Sequence, residues 1–161
     1  MAKNEGIVRR AIMEDVKQIH QLLNYYAKEG LLLGRSISSL YDKLRDFVVC
    51  VNDDSEIVGV CALQITWDNL AEIRSLAVDA KWQGLGIGTA LIESCLEEAT
   101  LYGITKVFTL TYQPEFFIKH GFRYTDKSNL PHKIWSDCIN CYQFPDCDET
   151  AMMLDLGKHE K

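Results

Sequence analysis

The stretch that most constrains this chain runs from Glu72 to Ala99, where a strand pattern passes through a glycine loop into a helix pattern. Glu72-Ile73-Arg74-Ser75-Leu76-Ala77-Val78 is β-prone, and Ala90 to Ala99 repeats apolar residues at helical spacing. Between them, Gln83-Gly84-Leu85-Gly86-Ile87-Gly88-Thr89 places a glycine at every second position. The amides of a helix's first turn lack intrahelical acceptors and sit at the positive end of the helix dipole, so they attract anions. Glycines allow such an anion to approach the backbone closely. The loop therefore predicts a phosphate or pyrophosphate ligand at residues 83–89. It is neither of the common nucleotide signatures, because it lacks a Gly-Lys-Ser/Thr ending and its glycines do not follow Gly-x-Gly-x-x-Gly.

The remaining pattern extends an α/β order along the chain. Ile7 to Ala11 reads as a first strand, and Glu14-Asp15 opens a helix whose Val16, Ile19, Leu22, Leu23 and Tyr26 share a face until Gly30 stops it. A short helix is expected from Ser38 to Leu44, capped by Ser36 or Ser38, with Leu40, Tyr41 and Leu44 on one side. Phe47 to Val51 and Ile57 to Leu63 flank the turn Asn52-Asp53-Asp54-Ser55 as a hairpin. Lys106 to Leu110 and Thr150 to Leu156 read as later strands, and Pro114 starts a helix over Glu115 to His120.

At 161 residues and 47% hydrophobic composition, one domain over 1–161 with a sizeable core is expected, carrying a cysteine-rich segment at 130–149. Apolar runs fall short of the roughly 20 residues a membrane helix needs, and residues 1–6 lack a signal-peptide core, so no membrane partner and a cytoplasmic location are expected. A net charge of −6 without a basic patch argues against nucleic acid. Cys50, Cys61 and Cys95 lie in apolar patterns and read as buried, inert thiols. Cys138, Cys141 and Cys147, close to His132, are weak candidates for a tetrahedral zinc site. The segment supplies a single Cys-x-x-Cys and no second histidine at finger spacing, so no metal is expected; a reducing compartment also disfavours disulfides.

Strict alternation along residues 72–78 puts Glu72, Arg74, Leu76 and Val78 on one face and Ile73, Ser75 and Ala77 on the other. Charges in a central strand must be paired or face a cleft, so Glu72 and Arg74 are either a structural ion-pair network or part of a site. Arg35, on the loop Gly30 to Ser36, is either a solvated arginine or a clamp for a carboxylate.

Gln83-x-x-Gly86-x-Gly88 after Leu76-Ala77-Val78, with Phe116-Phe117-Ile118-Lys119-His120-Gly121-Phe122 further on, resembles the acetyl-coenzyme A loop and later helix of the GCN5-related N-acetyltransferases (GNAT) over roughly residues 7 to 125. Three further stretches, Leu31 to Ser36, Ala71 to Val78 and Leu130 to Trp135, are similar to the short amino-acid N-acetyltransferases of the N-acetylglutamate synthase type. The resemblance implies a mixed, mostly antiparallel sheet flanked by helices and splayed between its fourth and fifth strands. Pantetheine would pair with the backbone along Leu76, Ala77 and Val78, and the amides from Gln83 to Thr89 would hold the pyrophosphate. It further implies acetyl transfer from acetyl-CoA to the α-amine of L-glutamate, the first step of arginine biosynthesis, with Glu72 as base and Arg35, Arg74, Ser75 and Lys133 around the substrate's carboxylates. The family's usual acid, a tyrosine four residues before the Gly of Gly-Phe, is replaced here by Phe117, which leaves Tyr112 as the candidate. Other acceptors (glutamine, a polyamine, a protein N-terminus), a non-catalytic CoA-binding or zinc-tethered module, and a homodimer stay open at this stage.

Overall fold

The structure is a computed structural model and describes residues 6–131 and 149–157. Its strands form one seven-stranded sheet in the order β1-β2-β3-β4-β5-β7-β6, built from β1 (Ile7–Arg10), β2 (Phe47–Val51), β3 (Ile57–Trp67), β4 (Leu70–Val78), β5 (Lys106–Thr111), β6 (Arg123–Tyr124) and β7 (Thr150–Asp155). Neighbouring strands are antiparallel except β4 and β5, whose parallel pairing needs a crossover, supplied by α3 (Ile87–Leu101). That parallel ladder runs from Leu70–Lys106 to Ile73–Thr109, where the Thr109 hydroxyl donates to the Ile73 carbonyl at 2.9 Å. Beyond it the two strands part, so the expected splay is present.

Both faces of the sheet are covered, and β2 shows why its residues read as a continuous apolar run. Val48 and Cys50 pack with Ile87, Leu91, Ile92 and Cys95 of α3, whereas Phe47 and Val49 pack with Val16, Ile19 and Leu23 of α1 (Val16–Lys28) and Leu40 of α2 (Ile37–Asp42). The helix α1 ends as its glycine suggested: Gly30 adopts φ +74°, and the Gly30 and Leu31 amides fold back onto the Ala27 and Tyr26 carbonyls.

Several boundaries differ from the sequence reading. The Ser36 hydroxyl alone caps α2, accepting from the Ser39 amide at 3.0 Å, while Ser38 lies within the helix. Tyr41 is exposed because it follows buried Leu40 by one residue, about 100° around the helix. The strand β3 extends to Trp67, four residues past the expected end at Leu63, because Gln64, Ile65 and Trp67 keep pairing with β4. The last helix, α4 (Pro114–Ile118), stops early as the chain turns through Gly121 at φ +93° and the Phe122 amide reaches back to the Phe117 carbonyl. The two-residue β6 carries no alternation long enough to be seen in sequence.

The expected faces of β4 are also corrected. Ser75 adopts φ +56°, and β3 opposes Arg74 with Ala62 but Ala77 with Val60, so two residues of β4 stand against Cys61 alone. This is a β-bulge, and it shifts the side-chain phase by one. Leu76 and Val78 therefore join Ile73 on the α3 face, while Glu72 and Arg74 share the α1–α2 face with Ala77. Strict alternation fails because it assumes every residue of the strand is paired.

Candidate active site

The splay opens a cleft of about 760 Å³ between the free end of β4, the loop into α3 and the end of β5. Arg74, Ser75, Leu76, Ala77 and Val78 form one wall. Gln83, Gly84, Gly86, Ile87, Gly88 and Thr89 form the next, and Tyr112 stands at the end of β5. Of the expected site residues, Leu85, Glu72 and Arg35 do not line this cleft; Lys133, Cys138, Cys141 and Cys147 lie outside the described residues.

The glycine loop has the geometry an anion needs. Gly84 and Gly86 hold φ of +80° and +87°, and a side chain at Gly84 would meet no atom within 4 Å, so the space before the loop is open. The Ala90 amide makes its helical bond to the Gly86 carbonyl, which leaves the amides of Ile87, Gly88 and Thr89 ahead of the first intrahelical acceptor. Gly88 is tightly placed for a different reason: a Cβ there would stand 3.1 Å from the Phe116 ring, which would have to give by a few tenths of an ångström. The Thr89 hydroxyl is hydrogen-bonded to the His120 imidazole at 3.3 Å, and that ring stacks obliquely on Phe116 with centroids 4.9 Å apart.

On the other side of the bulge, two guanidinium groups converge. Arg35 donates to the hydroxyls of Ser75 (3.4 Å) and Ser39 (3.2 Å), and its charge lies 5.2 Å above the Phe47 ring. Burial, and then the neighbouring charge of Arg74, hold the Arg35 guanidinium below its ordinary pKa, and Arg35 remains a cation at neutral pH. Arg74 donates to the Gln64 amide oxygen at 3.0 Å, and its Nε is 3.9 Å from buried Glu72, an ion pair at the limit of contact. Ser75, reached by Arg35 and exposed to the cleft, is held in a backbone conformation that a non-glycine residue seldom adopts, a form of strain that concentrates at binding sites.

Tyr26 and Gln83 meet at the β4 terminus. The Tyr26 hydroxyl donates to the Val78 carbonyl at 2.6 Å, and the Gln83 amide donates both to that carbonyl (3.0 Å) and to the Tyr26 oxygen (2.8 Å). The sequence reading missed this use of Tyr26, whose position on the apolar face of α1 signals only packing. Glu149, immediately before Thr150 in the register opposite Thr111, also lines the cleft beside Tyr112 and was missed because no motif surrounds it. Phe117 is buried in edge-to-face contact with Phe116 and Phe122, so the position carries an aromatic core residue with no proton to give.

Cys50, Cys61 and Cys95 are buried as expected, and the hydrogen bond with Cys95, followed by burial, pushes the Cys61 thiol up, away from reactivity. Among the described residues no group of three or more metal-ligating side chains occurs, and no helix is long and apolar enough to cross a membrane.

Residues 43–124 match the acetyltransferase (GNAT) domain, and the chain is 38% identical over 156 residues to an uncharacterized N-acetyltransferase of Chlorobaculum tepidum, covering 97% of this chain and all of that one. The chain belongs to the GNAT family of acetyltransferases. This GNAT protein is also 35% identical, over 94% of its length and 85% of the relative's, to an amino-acid acetyltransferase of Mycobacterium tuberculosis. A solved M. tuberculosis structure in complex with CoA and NLQ superposes with TM-score 0.80 at 32% identity, covering 93% of this chain and 99% of that one. N-acetylglutamate synthase from Neisseria gonorrhoeae, solved with coenzyme A and N-acetyl-glutamate, superposes with TM-score 0.86 at 25% identity, but this GNAT chain spans only 35% of that longer protein.

Proposed function

We propose that the protein transfers the acetyl group of acetyl-CoA to the α-amine of L-glutamate, as an N-acetylglutamate synthase at the head of arginine biosynthesis. The observation that carries the acceptor assignment is the pair of converging cations, Arg35 and Arg74, at the bulge of β4, with Ser75 presented to the cleft between them and the donor wall. Glu72 and Asp46 offset part of the mutual repulsion of these two half-buried guanidiniums, and a dicarboxylate acceptor would add a further anion beside them. A polyamine is repelled by the same charges. The names of the relatives, amino-acid acetyltransferase and N-acetylglutamate synthase, agree with this reading.

Acetyl-CoA supplies the acyl group as an activated thioester. The open edge of β4 offers backbone groups of Leu76 and Val78 to its pantetheine arm, and the amides at the start of α3 receive its pyrophosphate. Glu72 accepts the proton of the acceptor's ammonium through water, since it stands beside Arg74 without lining the cleft. Tyr112, at the mouth of the splay, gives a proton to the departing thiolate.

The deciding experiment is a thiol-release assay with acetyl-CoA against free amino acids, polyamines and short peptides, with the products identified by mass. Turnover of glutamate well above glutamine and all non-carboxylate amines supports the assignment. Turnover confined to polyamines or peptides overturns it, and CoA binding without turnover on any amine would make the protein a binding module.

A further inference from the structure

The hydrogen-bonded triangle of Tyr26, Val78 and Gln83 ties together three elements that have to be held at fixed spacing. Tyr26 follows Ile19 and Leu23 on the face of α1 that is buried against the sheet, so its hydroxyl is delivered from a firmly packed helix. Val78 is the last residue of β4, and Gln83 begins the glycine loop. The intervening residues close on themselves: the Asp79 carboxylate accepts from the Lys81 amide and the Asp79 carbonyl from the Trp82 amide. The Gln83 side chain then returns to Val78 at 3.0 Å, completing the circuit.

The direction of the Val78 peptide groups gives this circuit its consequence. The Asp79 amide donates to the Val58 carbonyl, and Val78 stands opposite Gly59, which makes Val78–Gly59 a non-hydrogen-bonded pair of the β3–β4 ladder. The Val78 carbonyl and N–H therefore both face the open edge of β4. A carbonyl oxygen has two lone pairs, and here Tyr26 and Gln83 take both. What Val78 presents to an incoming ligand is its N–H.

We propose that Tyr26 is a positioning residue for the acyl donor: through Val78 and Gln83 it sets the spacing between the β4 edge and the glycine loop, the two stretches of backbone that hold the donor. The inference rests on the donor site described under Proposed function, but not on which amine is acetylated. Tyr26 is half-buried and burial raises its phenol pKa, so it remains a donor throughout the neutral range.

The test is calorimetric binding of coenzyme A to the wild type, Tyr26→Phe, Gln83→Ala and the double variant, with thermal stability and steady-state kinetics on each. Tyr26→Phe is expected to weaken coenzyme A about tenfold, and Gln83→Ala, whose bonds are solvent-exposed, about threefold. Because both act on one carbonyl, the double variant should bind about as weakly as Tyr26→Phe alone, not about thirtyfold more weakly than wild type. The KM for acetyl-CoA should rise with binding, while kcat and the acceptor KM at saturating donor stay near wild type. A purely structural tyrosine would lower thermal stability and leave coenzyme A affinity unchanged, which overturns the proposal, as does independent multiplication of the two losses. If Tyr26→Phe does not fold, unchanged coenzyme A affinity in Gln83→Ala overturns it. Wild-type protein that binds no coenzyme A removes the donor site itself, and this inference with it.

Discussion

Replacing Gly59 by alanine tests whether the sheet and the donor helix are packed as tightly as the structure shows. Gly59 lies on β3 opposite Val78, and a Cβ added there would stand 2.9 Å from Ile87 Cγ2 and 2.9 Å from Leu91 Cδ1. Comfortable carbon contacts lie near 3.5–4.0 Å, so the overlap is about 0.5–1 Å against each. Neither side chain has room to turn aside, since Ile87 is 1% and Leu91 0% exposed within the larger core cluster. Overpacking of this kind costs about 1–3 kcal/mol, and alanine returns about 0.4–1 kcal/mol by restricting the unfolded chain. The net loss is about 1–2 kcal/mol, which at roughly 2–4 °C per kcal/mol for a chain of this size lowers the melting temperature by about 2–8 °C. Ile87 is the first residue of α3, so the same push displaces the turn that carries Gly88 and Thr89. Coenzyme A affinity should fall several-fold along with stability. Differential scanning fluorimetry and urea unfolding measure the first effect, calorimetry the second. Leu91→Val removes the obstructing methyl; with Gly59→Ala it should cost less than the sum of the single changes. A melting temperature equal to or above wild type, or strict additivity in the double variant, refutes the packing argument.

Other perturbations address the site and the termini. Arg35→Ala should raise the acceptor KM by about 10- to 100-fold, the worth of a charge-assisted carboxylate contact, while the KM for acetyl-CoA stays within about twofold; steady-state kinetics with each substrate varied separate the two. Gly86→Ala places a side chain at φ +87°. It should cost about 1–2 kcal/mol in stability and weaken coenzyme A binding in a titration. Tyr112→Phe should lower kcat for glutamate about tenfold or more with little change in either KM, as expected of a group that acts at the thiolate. Asp15 gives a pH signature: burial alone would raise its carboxyl, but Arg9 at 2.8 and 3.1 Å and the Ile12 amide at 2.8 Å lower it below its ordinary value of 3.8. A depressed folded-state pKa stabilises the fold above the ordinary value and loses that contribution as pH falls through the lower one, so Asp15→Asn should be less stable at neutral pH and show a flatter acid-unfolding curve below about pH 4.

The glycine loop and most of the elements were legible because each rests on a local signal: an apolar β-prone run for β2 and β5, helical spacing for α1 and α3, a proline for the start of α4; the splay followed only from the resemblance to the family. The Arg35–Arg74 convergence was legible only in part. Both residues stood out as charges in unusual places, yet Arg35 is 39 positions before Arg74 in the chain, and nothing in either segment states that the fold will bring them together. Tyr26 packs on the apolar face of α1 as its spacing indicated, but its hydroxyl's role escaped for a related reason: helical spacing identifies a buried face but not the polar group at its edge that a tyrosine hydroxyl can reach.

Ser75 shows most clearly why such sites escape a periodic reading. A serine in a strand-forming run carries no mark of φ +56°, because the conformation is imposed by β3, whose Cys61 stands alone against two residues of β4. The single-residue slip puts Leu76 and Val78 on the α3 face while Glu72 and Arg74 stay on the α1–α2 face, and it lies just past Ile73, where the β5 ladder ends. The apolar wall proposed behind the donor, the cationic wall proposed before the acceptor and the gap between strands thus meet at one point of β4. Displacing the bulge by deleting Ser75 should then abolish donor and acceptor binding together, whereas Ser75→Ala, which keeps the bulge and removes the hydroxyl contact to Arg35, should raise only the acceptor KM. Equal loss of donor affinity in both variants would mean that the hydroxyl, and not the slip in register, holds the cleft open.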